Sequence, residues 1–335
     1  MNRGQQPAIA HSRGIARFVS RSLARPRVWL RRLGLRIVLE LLPRASTRGT
    51  LAAAGVLARS PASWEALQVL GRDLGLTAVV VKGPLGEVQG SISDEVLLPA
   101  YAKHGVWAPA MVSELRAAFG GDGGTFLDVG ANIGLVTLAI ASDSSIDCFA
   151  FEPEPRTYEY LRHNVDVNHC VNVRCFRSAL WDSPGRLEFE LASGNLGDHR
   201  VRGHGSDEKY GESSRPCITV DASPLDGLVN VATLRRPIVA KIDTQGAETH
   251  VIAGGSRTLG AADVVAMEYW PYGLARLGGA LSTITAFVEL FREARVARGE
   301  SDQSSEWRPV KEVVSILSVL WNPAGGDYYD LLLRK

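Results

Sequence analysis

The stretch TFLDVGANIG, residues 125–134, sets one carboxylate, two glycines and one carboxamide around the end of an apolar run. Asp128 stands two residues before Gly130, Asn132 two after it, and Gly134 two further on, ahead of the apolar Leu135–Ala141. An apolar run stopped by glycine reads as a buried strand, and the stretch behind it as a helix. Strand, glycine turn and helix start together make a cradle for a polar ligand. Glycine admits close backbone approach, and a first helical turn carries unpaired N–H groups. The competing reading is an ordinary strand-to-helix turn. A dinucleotide fingerprint, Gly-x-Gly-x-x-Gly, would need a glycine where Asn132 stands.

Three further acids close apolar runs. Glu152 follows Asp147–Phe151 and lies 22 residues after Gly130. An acid at that distance, on the tip of the second strand, is placed to accept hydrogen bonds from ribose hydroxyls; the alternative is a solvated acid before Pro153. Asp243 follows Ile238–Ile242, and Glu268 follows Val264–Met267. Independent surface acids would scatter along the chain, whereas these gather where predicted strands end.

The elements that must position these residues alternate. Strands are predicted at Thr125–Val129, Asp147–Phe151, Val171–Phe176, Ile238–Ile242, Val264–Met267 and Tyr328–Leu333. Helices are predicted at Ile133–Ala141, Pro155–Asn168, Ala247–Leu259, Thr283–Arg298 and Val310–Leu317. This alternation predicts an α/β fold, a mostly parallel sheet with helices on both faces, whose ligands sit beyond the carboxyl ends of the strands. Before it, Trp64–Leu74 reads as a helix, Thr77–Val81 and Glu87–Ile92 as a hairpin, and Asp94–His104 and Pro109–Phe119 as two more helices. Arg186–Leu191 alternates as a half-exposed strand. The polar, Gly-rich Ser193–Arg215 that follows is either an unstructured insert or a substrate lid.

DVGANIG, FEPEP, KIDTQGAE at Lys241–Glu248 and VAMEYWP at Val265–Pro271 occur in order at strand-helix spacing. In this the chain resembles the FkbM-type family of S-adenosylmethionine-dependent methyltransferases, over roughly Ile92 to Tyr272. The resemblance implies a Rossmann-like class I methyltransferase core over 123–335 and a cap formed by the N-terminal hairpin and helices of 61–122; the first 75 residues have no counterpart in the family, and the leader over 1–60 is read from its charge alone. The resemblance implies S-adenosyl-L-methionine as cofactor. Asp128 would then meet the amino group, Gly130 would leave backbone room, Asn132 and Gly134 would hold polar groups at the helix start, and Glu152 would take the ribose. Ser178 and Ala179 fall at the adenine edge, with Leu180 against its face. Asp243 faces the methyl-transfer position as proton acceptor or acceptor contact; otherwise it caps the next helix. His250 either backs up proton transfer or is structural. Asp243 and Glu268 offer too few ligands for a metal, so none is expected. The family often carries Val or Ile followed by Glu where this chain has Thr244-Gln245, so a role for that carboxylate is absent here. Expected acceptors are hydroxyls of sugars, glycolipids, lipooligosaccharides or polyketide-type natural products. A dinucleotide-dependent oxidoreductase and a non-catalytic scaffold of the same fold are the rival readings; the first lacks its middle glycine, and the second would have lost the strand-end acids.

Composition narrows the setting. At 45% hydrophobic and 22% charged, the 335 residues are those of a soluble globular chain. A net charge of +1 argues against a general nucleic-acid binder, whose affinity rests on many phosphate contacts. Cys148, Cys170, Cys175 and Cys217 form no zinc-like pair and fit a reducing cytoplasm. No run of 18 apolar residues is present to span a membrane. The first 50 residues hold eleven arginines against one acid, Glu40, with Ile15, Phe18, Val19 and Leu23 at helical spacing. This leader reads as a basic tail, as a surface element on an anionic membrane, or as a targeting segment.

Overall fold

The computed structural model describes residues 50–53, 61–203, 209–298 and 306–335. The arginine-rich leader up to residue 49 lies outside them. Its end does not: Thr50–Ala53 (β1) pairs in parallel with Ala78–Gly83 (β2), which turns back as Gly86–Ser91 (β3). Around this small sheet lie three helices, α1 (Pro61–Asp73), α2 (Leu97–His104) and α3 (Pro109–Ala117). Asp94 starts α2: its carboxylate accepts the backbone N–H groups of Val96, Leu97 and Leu98, donors left over at any helix start.

The main body then alternates as β4 (Gly124–Val129), α4 (Leu135–Ala141), β5 (Ile146–Phe151), α5 (Pro155–Val167) and β6 (Val173–Phe176). A side sheet follows from β7 (Ala179–Leu180), β8 (Gly185–Glu190), β9 (Arg200–Val201) and β10 (Cys217–Ser223), in the order β7-β10-β8-β9. The chain returns through α6 (Leu225–Leu228) to β11 (Ile238–Ile242), α7 (Glu248–Gly254), α8 (Ser256–Gly260), β12 (Val264–Tyr269), α9 (Pro271–Arg276), α10 (Leu281–Val288), β13 (Glu293–Ala297), β14 (Arg308–Pro309), α11 (Val310–Leu320) and β15 (Tyr329–Arg334). The central sheet has the order β14-β13-β15-β12-β11-β4-β5-β6. From β6 to β12 the pairs are parallel, while β15 runs antiparallel between β12 and β13. This is the Rossmann-like class I architecture expected from the sequence. The strand order reverses between β4 and β11, the switch point outside which such sheets bind ligands.

Both faces of the sheet are covered. Leu127, Val129, Ala240 and Ile242 pack with Val251, Phe287 and Leu317 on one side. Phe126 and Val239 pack with Val136, Ile140 and Leu115 on the other. The hairpin is fastened to this second side by two asparagines one turn apart, Asn164 on α5 and Asn168 at its C-cap. Asn164 accepts from the N–H of Gln89 (2.7 Å) and donates to its carbonyl (2.9 Å). Asn168 does the same for Glu87, at 2.9 and 2.7 Å. Two carboxamides thus stand in for a neighbouring strand along the free edge of β3, leaving none of those edge groups unpaired.

The structure departs from the pattern reading in three places. The helix predicted over Thr283–Arg298 stops at Val288, and Glu293–Ala297 is a strand. Ala294 and Ala297 are buried against β15, and that ladder outweighs the helical preference of a short Ala- and Arg-containing run. Cys217–Ser223, not predicted, pairs antiparallel with Gly185–Glu190; Val220 and Ala222 alternate inward as period two requires. The predicted Ala247–Leu259 helix breaks at Gly255 into α7 and α8, and a Cβ there would meet the Val251 carbonyl at 3.1 Å. Among the described residues no helix is long and apolar enough to cross a membrane.

Candidate active site

Strand register brings the predicted residues together. Lys241 of β11 pairs with Asp128 of β4 on one side and Ala266 of β12 on the other, and Ala266 pairs with Leu332 of β15. Two residues on, where side chains return to the same face, stand Asp243, Glu268 and Asp330. Glu268 and Asp330 are direct register partners. Gly130 and Glu152 lie at the same level on β4 and β5, one step past the paired Val129 and Phe151. A polar row, Glu152–Gly130–Asp243–Glu268–Asp330, thus crosses five adjacent strands, and all five residues line one cavity of about 840 Å³.

The cradle is built as the glycine spacing requires. Gly130 has φ +79°, and a Cβ on it would lie 1.9 Å from the Asp243 carbonyl. Gly134 has φ +89°, and a Cβ there would meet Leu161 at 2.7 Å, so it serves the packing of α4 on α5 and not the cavity. Asn132, between them, sits in the left-handed region at φ 51°. Its Oδ1 accepts from the N–H of Ile133 and its Nδ2 donates to the Leu196 carbonyl at 3.0 Å. The carboxamide thus spends both its ends on backbone groups, one at the start of the helix and one on the polar insert. Glu152 accepts one backbone N–H on each oxygen, from Asn132 (3.0 Å) and Glu154 (2.9 Å). Burial pushes its carboxyl up to about 8, against those two donors. Two lone pairs remain, enough for two further donors. Ser178 and Ala179 line the same end of the cavity beside Leu180.

At the centre is a residue the sequence reading passed over. Lys241 is 4% exposed in the middle of a strand, with its ammonium 3.7 Å from Asp128 Oδ1, 3.3 Å from Asp243 Oδ2 and 3.4 Å from the Gly130 carbonyl. Burial works against the ammonium, but Asp243 and Asp128 outweigh it and hold the Lys241 pKa above its ordinary value. Asp128 itself is fully buried and does not line the cavity. It accepts the Thr137 hydroxyl at 2.6 Å, and burial raises its pKa despite Lys241. Its place is beneath the cradle, tying β4 to α4 and to Lys241. The only signal in the sequence was a lysine inside an otherwise apolar strand, since a fully buried lysine needs a paired acid.

Beyond Lys241 the wall is acidic. Asp243 Oδ1 accepts from Gln245 Nε2 at 2.9 Å, and the same nitrogen reaches Glu268 Oε2 at 3.2 Å. Gln245 is a non-glycine residue at φ 56°, held there by a turn in which Glu248 Oε1 accepts from the Thr244 N–H and hydroxyl and the Gly246 N–H. Burial, then repulsion from Asp243, Glu248 and Asp330, raises Glu268 well above the carboxylate range. Burial and Asp243 push Asp330 up to about 6.

The described part of the polar insert is folded and forms the facing wall. Gly194 accepts from the Glu95 N–H and Leu196 from Asn132, which ties it to the cap and the cradle. Behind it, Arg200 is 1% exposed and pairs with Glu190 (2.7 Å), Asp198 (2.7 Å) and Glu212 (3.0 Å), with its guanidinium over Trp270. His199 lines the cavity; its Nδ1 accepts the Ala192 N–H at 2.9 Å, which leaves the proton on Nε2. Burial lowers its pKa, so it faces the cavity as a neutral donor. From the cap, Trp107 and Met111 complete the enclosure.

Residues 128–291 match the methyltransferase FkbM domain family. The chain carries an FkbM methyltransferase domain. Over 142 residues it is 32% identical to hexuronic acid methyltransferase AglP of Haloferax volcanii, covering 42% of this chain and 54% of that protein. Over 154 residues it is 30% identical to 2-O-methyltransferase NoeI of Sinorhizobium fredii, covering 43% of this chain and 62% of that one. The chain therefore spans between half and two thirds of the length of these curated relatives. A solved FkbM methyltransferase from Methylobacillus flagellatus KT aligns with 63% of this chain and 44% of its own, at 13% identity and a TM-score of 0.37.

After Gly134 and Asp128, a third predicted residue of the FkbM domain lies away from the cavity. His250 does not line the cavity. Its ring stacks on Trp181 at 3.6 Å, its Nδ1 meets Asp182 at 2.7 Å, and its Nε2 meets the Leu277 carbonyl at 3.0 Å. Position 250 falls on the side of α7 that faces the side sheet, so helical phase decided against it. Arg200, His199 and Asp330, by contrast, reach the cavity from outside the motifs, Asp330 from beyond the residues that match the family.

Proposed function

We propose that this chain is an S-adenosylmethionine-dependent methyltransferase acting on a hydroxyl oxygen of a sugar or glycan acceptor. The observation that carries the reading is the polar row: a cradle and a buried carboxylate at one end of a single cavity, and a fixed acid group at the other. The donor set fits the cofactor. Glu152, with two backbone donors and two free lone pairs, suits a pair of ribose hydroxyls; Ser178, Ala179 and Leu180 continue that end for the adenine. Asn132 stands where the dinucleotide fingerprint has its middle glycine, which disfavours the dinucleotide reading. The names of the two relatives, a hexuronic acid methyltransferase and a 2-O-methyltransferase, support a sugar hydroxyl as acceptor.

When bound, the cofactor supplies an electrophilic methyl on a sulfonium. This chain's residues must align the acceptor hydroxyl with it and remove the hydroxyl proton. Asp243 contacts the acceptor, held in place by Lys241 on one oxygen and Gln245 on the other. His199 offers Nε2–H from the facing wall. Trp107, Met111 and the insert exclude water. Four free thiols support a reducing, cytoplasmic setting, and the eleven leader arginines support contact with an anionic membrane surface. The near-neutral charge and the acidic row speak for a small-molecule or glycan acceptor over nucleic acid.

Calorimetry with S-adenosylhomocysteine and with NAD tests the cofactor reading. S-adenosylhomocysteine should bind and NAD should not; the reverse result would make the dinucleotide reading the better one.

A further inference from the structure

Methyl transfer to a hydroxyl releases a proton, and three carboxylates in the row could receive it. Asp243 is committed: Lys241 holds Oδ2 at 3.3 Å and Gln245 donates to Oδ1 at 2.9 Å. Both oxygens of that carboxylate are thus already engaged, one by an ammonium and one by a carboxamide. Glu268 is half-buried, takes the other reach of Gln245, and is held well above its ordinary pKa by burial and by Asp243, Glu248 and Asp330. Asp330 differs from both. Among the described residues it accepts no hydrogen bond and makes no ion pair, yet it lines the cavity directly opposite Glu268 in the register.

We infer that Asp330, on the last strand, is the general base for the acceptor hydroxyl, with Asp243 fixing that hydroxyl in place. The assignment rests on the methyltransferase reading above. The charged and titratable groups facing Asp330 are Glu268 on β12, Lys241 and Asp243 on β11, and Arg298 and Tyr328 at the cavity mouth. Arg298 already pairs with Asp327 at 3.1 Å. Burial and the Asp243 charge push Asp330 up to about 6, with Lys241 opposing, so at neutral pH it is ionised and still basic. In the step itself the acceptor oxygen forms the new bond to the methyl carbon. The pair of the broken carbon–sulfur bond stays on sulfur, and the hydroxyl proton passes to the Asp330 carboxylate. The resulting carboxylic acid returns its proton to water through the mouth of the cavity.

The register explains why this base has to come from β15. The strand runs antiparallel to β12, so its second residue, not its last, reaches the level where the parallel strands end. A strand-end rule applied to the sequence looks for it at the wrong end of the run.

The test uses the full chain and two variants, Asp330→Asn and Asp243→Asn. With methyl-labelled cofactor and a set of neutral, N-acetylamino and uronate methyl glycosides, Asp330→Asn should lower turnover by about 10²-fold or more, with S-adenosylhomocysteine affinity unchanged. It should also remove the acid limb of the pH profile. Asp243→Asn should act mainly on acceptor KM. Wild-type turnover, or an unchanged acid limb, in Asp330→Asn would overturn the assignment. A carbon-13 NMR titration of the Asp330 carboxyl in the S-adenosylhomocysteine complex decides the matter independently of any acceptor. A midpoint near 6 that falls in Asp243→Asn supports the base, and a midpoint in the ordinary aspartate range overturns it. Failure of the wild-type chain to bind S-adenosylhomocysteine at all would sink the methyltransferase reading instead.

Discussion

A base kept at a raised pKa carries a stability cost, and Asp330→Asn should expose it. The folded pKa of Asp330 is pushed up to about 6 from 3.8. A carboxyl whose folded pKa is raised binds protons more tightly folded than unfolded. Its ionisation therefore costs nothing well below the unfolded pKa, and the cost accumulates as pH rises from the unfolded value to the folded one. A shift of about 2 units at about 1.4 kcal/mol each sets the full cost near 3 kcal/mol above pH ~7, and about 1 kcal/mol at pH ~4.5. Asparagine has nearly the same shape and no charge. The variant should be more stable than wild type by about 1 kcal/mol at pH ~4.5 and by about 3 kcal/mol at pH ~7.5. Urea unfolding of both proteins across that range measures the gap, with equal slopes required for a fair comparison. A gap that stays constant with pH, or that shrinks as pH rises, would refute the reasoning, because it would mean the carboxylate is not penalised in the fold. A more stable and slower variant is the pattern expected where stability has been given up for function.

Measured above pH ~8, where the Glu152 carboxyl is ionised, Glu152→Ala should weaken S-adenosylhomocysteine binding by roughly 1.5–3 kcal/mol, the worth of hydrogen bonds to a charged group, as read by calorimetry; unchanged affinity would take Glu152 out of the site. Lys241→Met should destabilise by about 3–5 kcal/mol, because it strands the fully buried Asp128 beside Asp243. The loss should ease on acidification, since Asp128 has a raised pKa and is then neutral, and adding Asp128→Asn should recover much of it; no recovery in the double variant would refute the pairing. Deleting residues 1–49 should abolish co-sedimentation with anionic vesicles at low salt while leaving S-adenosylhomocysteine binding intact, and equal sedimentation of both forms would remove the membrane proposal.

Much of this site was written locally. The strands β4, β5, β11 and β12 announced themselves by an apolar run with a glycine or acid at its end, and Gly130, Glu152, Asp243 and Glu268 were placed by that pattern alone. Gly130 and Gly134 were required by backbone angles that only glycine adopts at no cost, and such requirements travel with the sequence. The α/β class followed from alternation, because alternating strands and helices have few ways to pack. Other features had no local signature. Period-two patterning tells which face a residue occupies, not which strand lies beside it, so neither the pairing of Lys241 with Asp128 nor the alignment of Asp330 with Glu268 could be read from the chain. Glu293–Ala297 became a strand because a vacancy beside β15 had to be filled, which outweighs a weak local preference. Asp243 was expected at the transfer position and His250 either behind it or as a structural histidine; the rotation of α7 sent His250 to Asp182 while strand register kept Asp243 in the cavity. The polar insert looked like a loop because its order comes from Arg200, whose three carboxylate partners, though close in sequence, converge only when the side sheet folds. Local chemistry is carried by each residue and its neighbours in the chain, whereas burial, register and charge pairing exist only between segments that folding brings together.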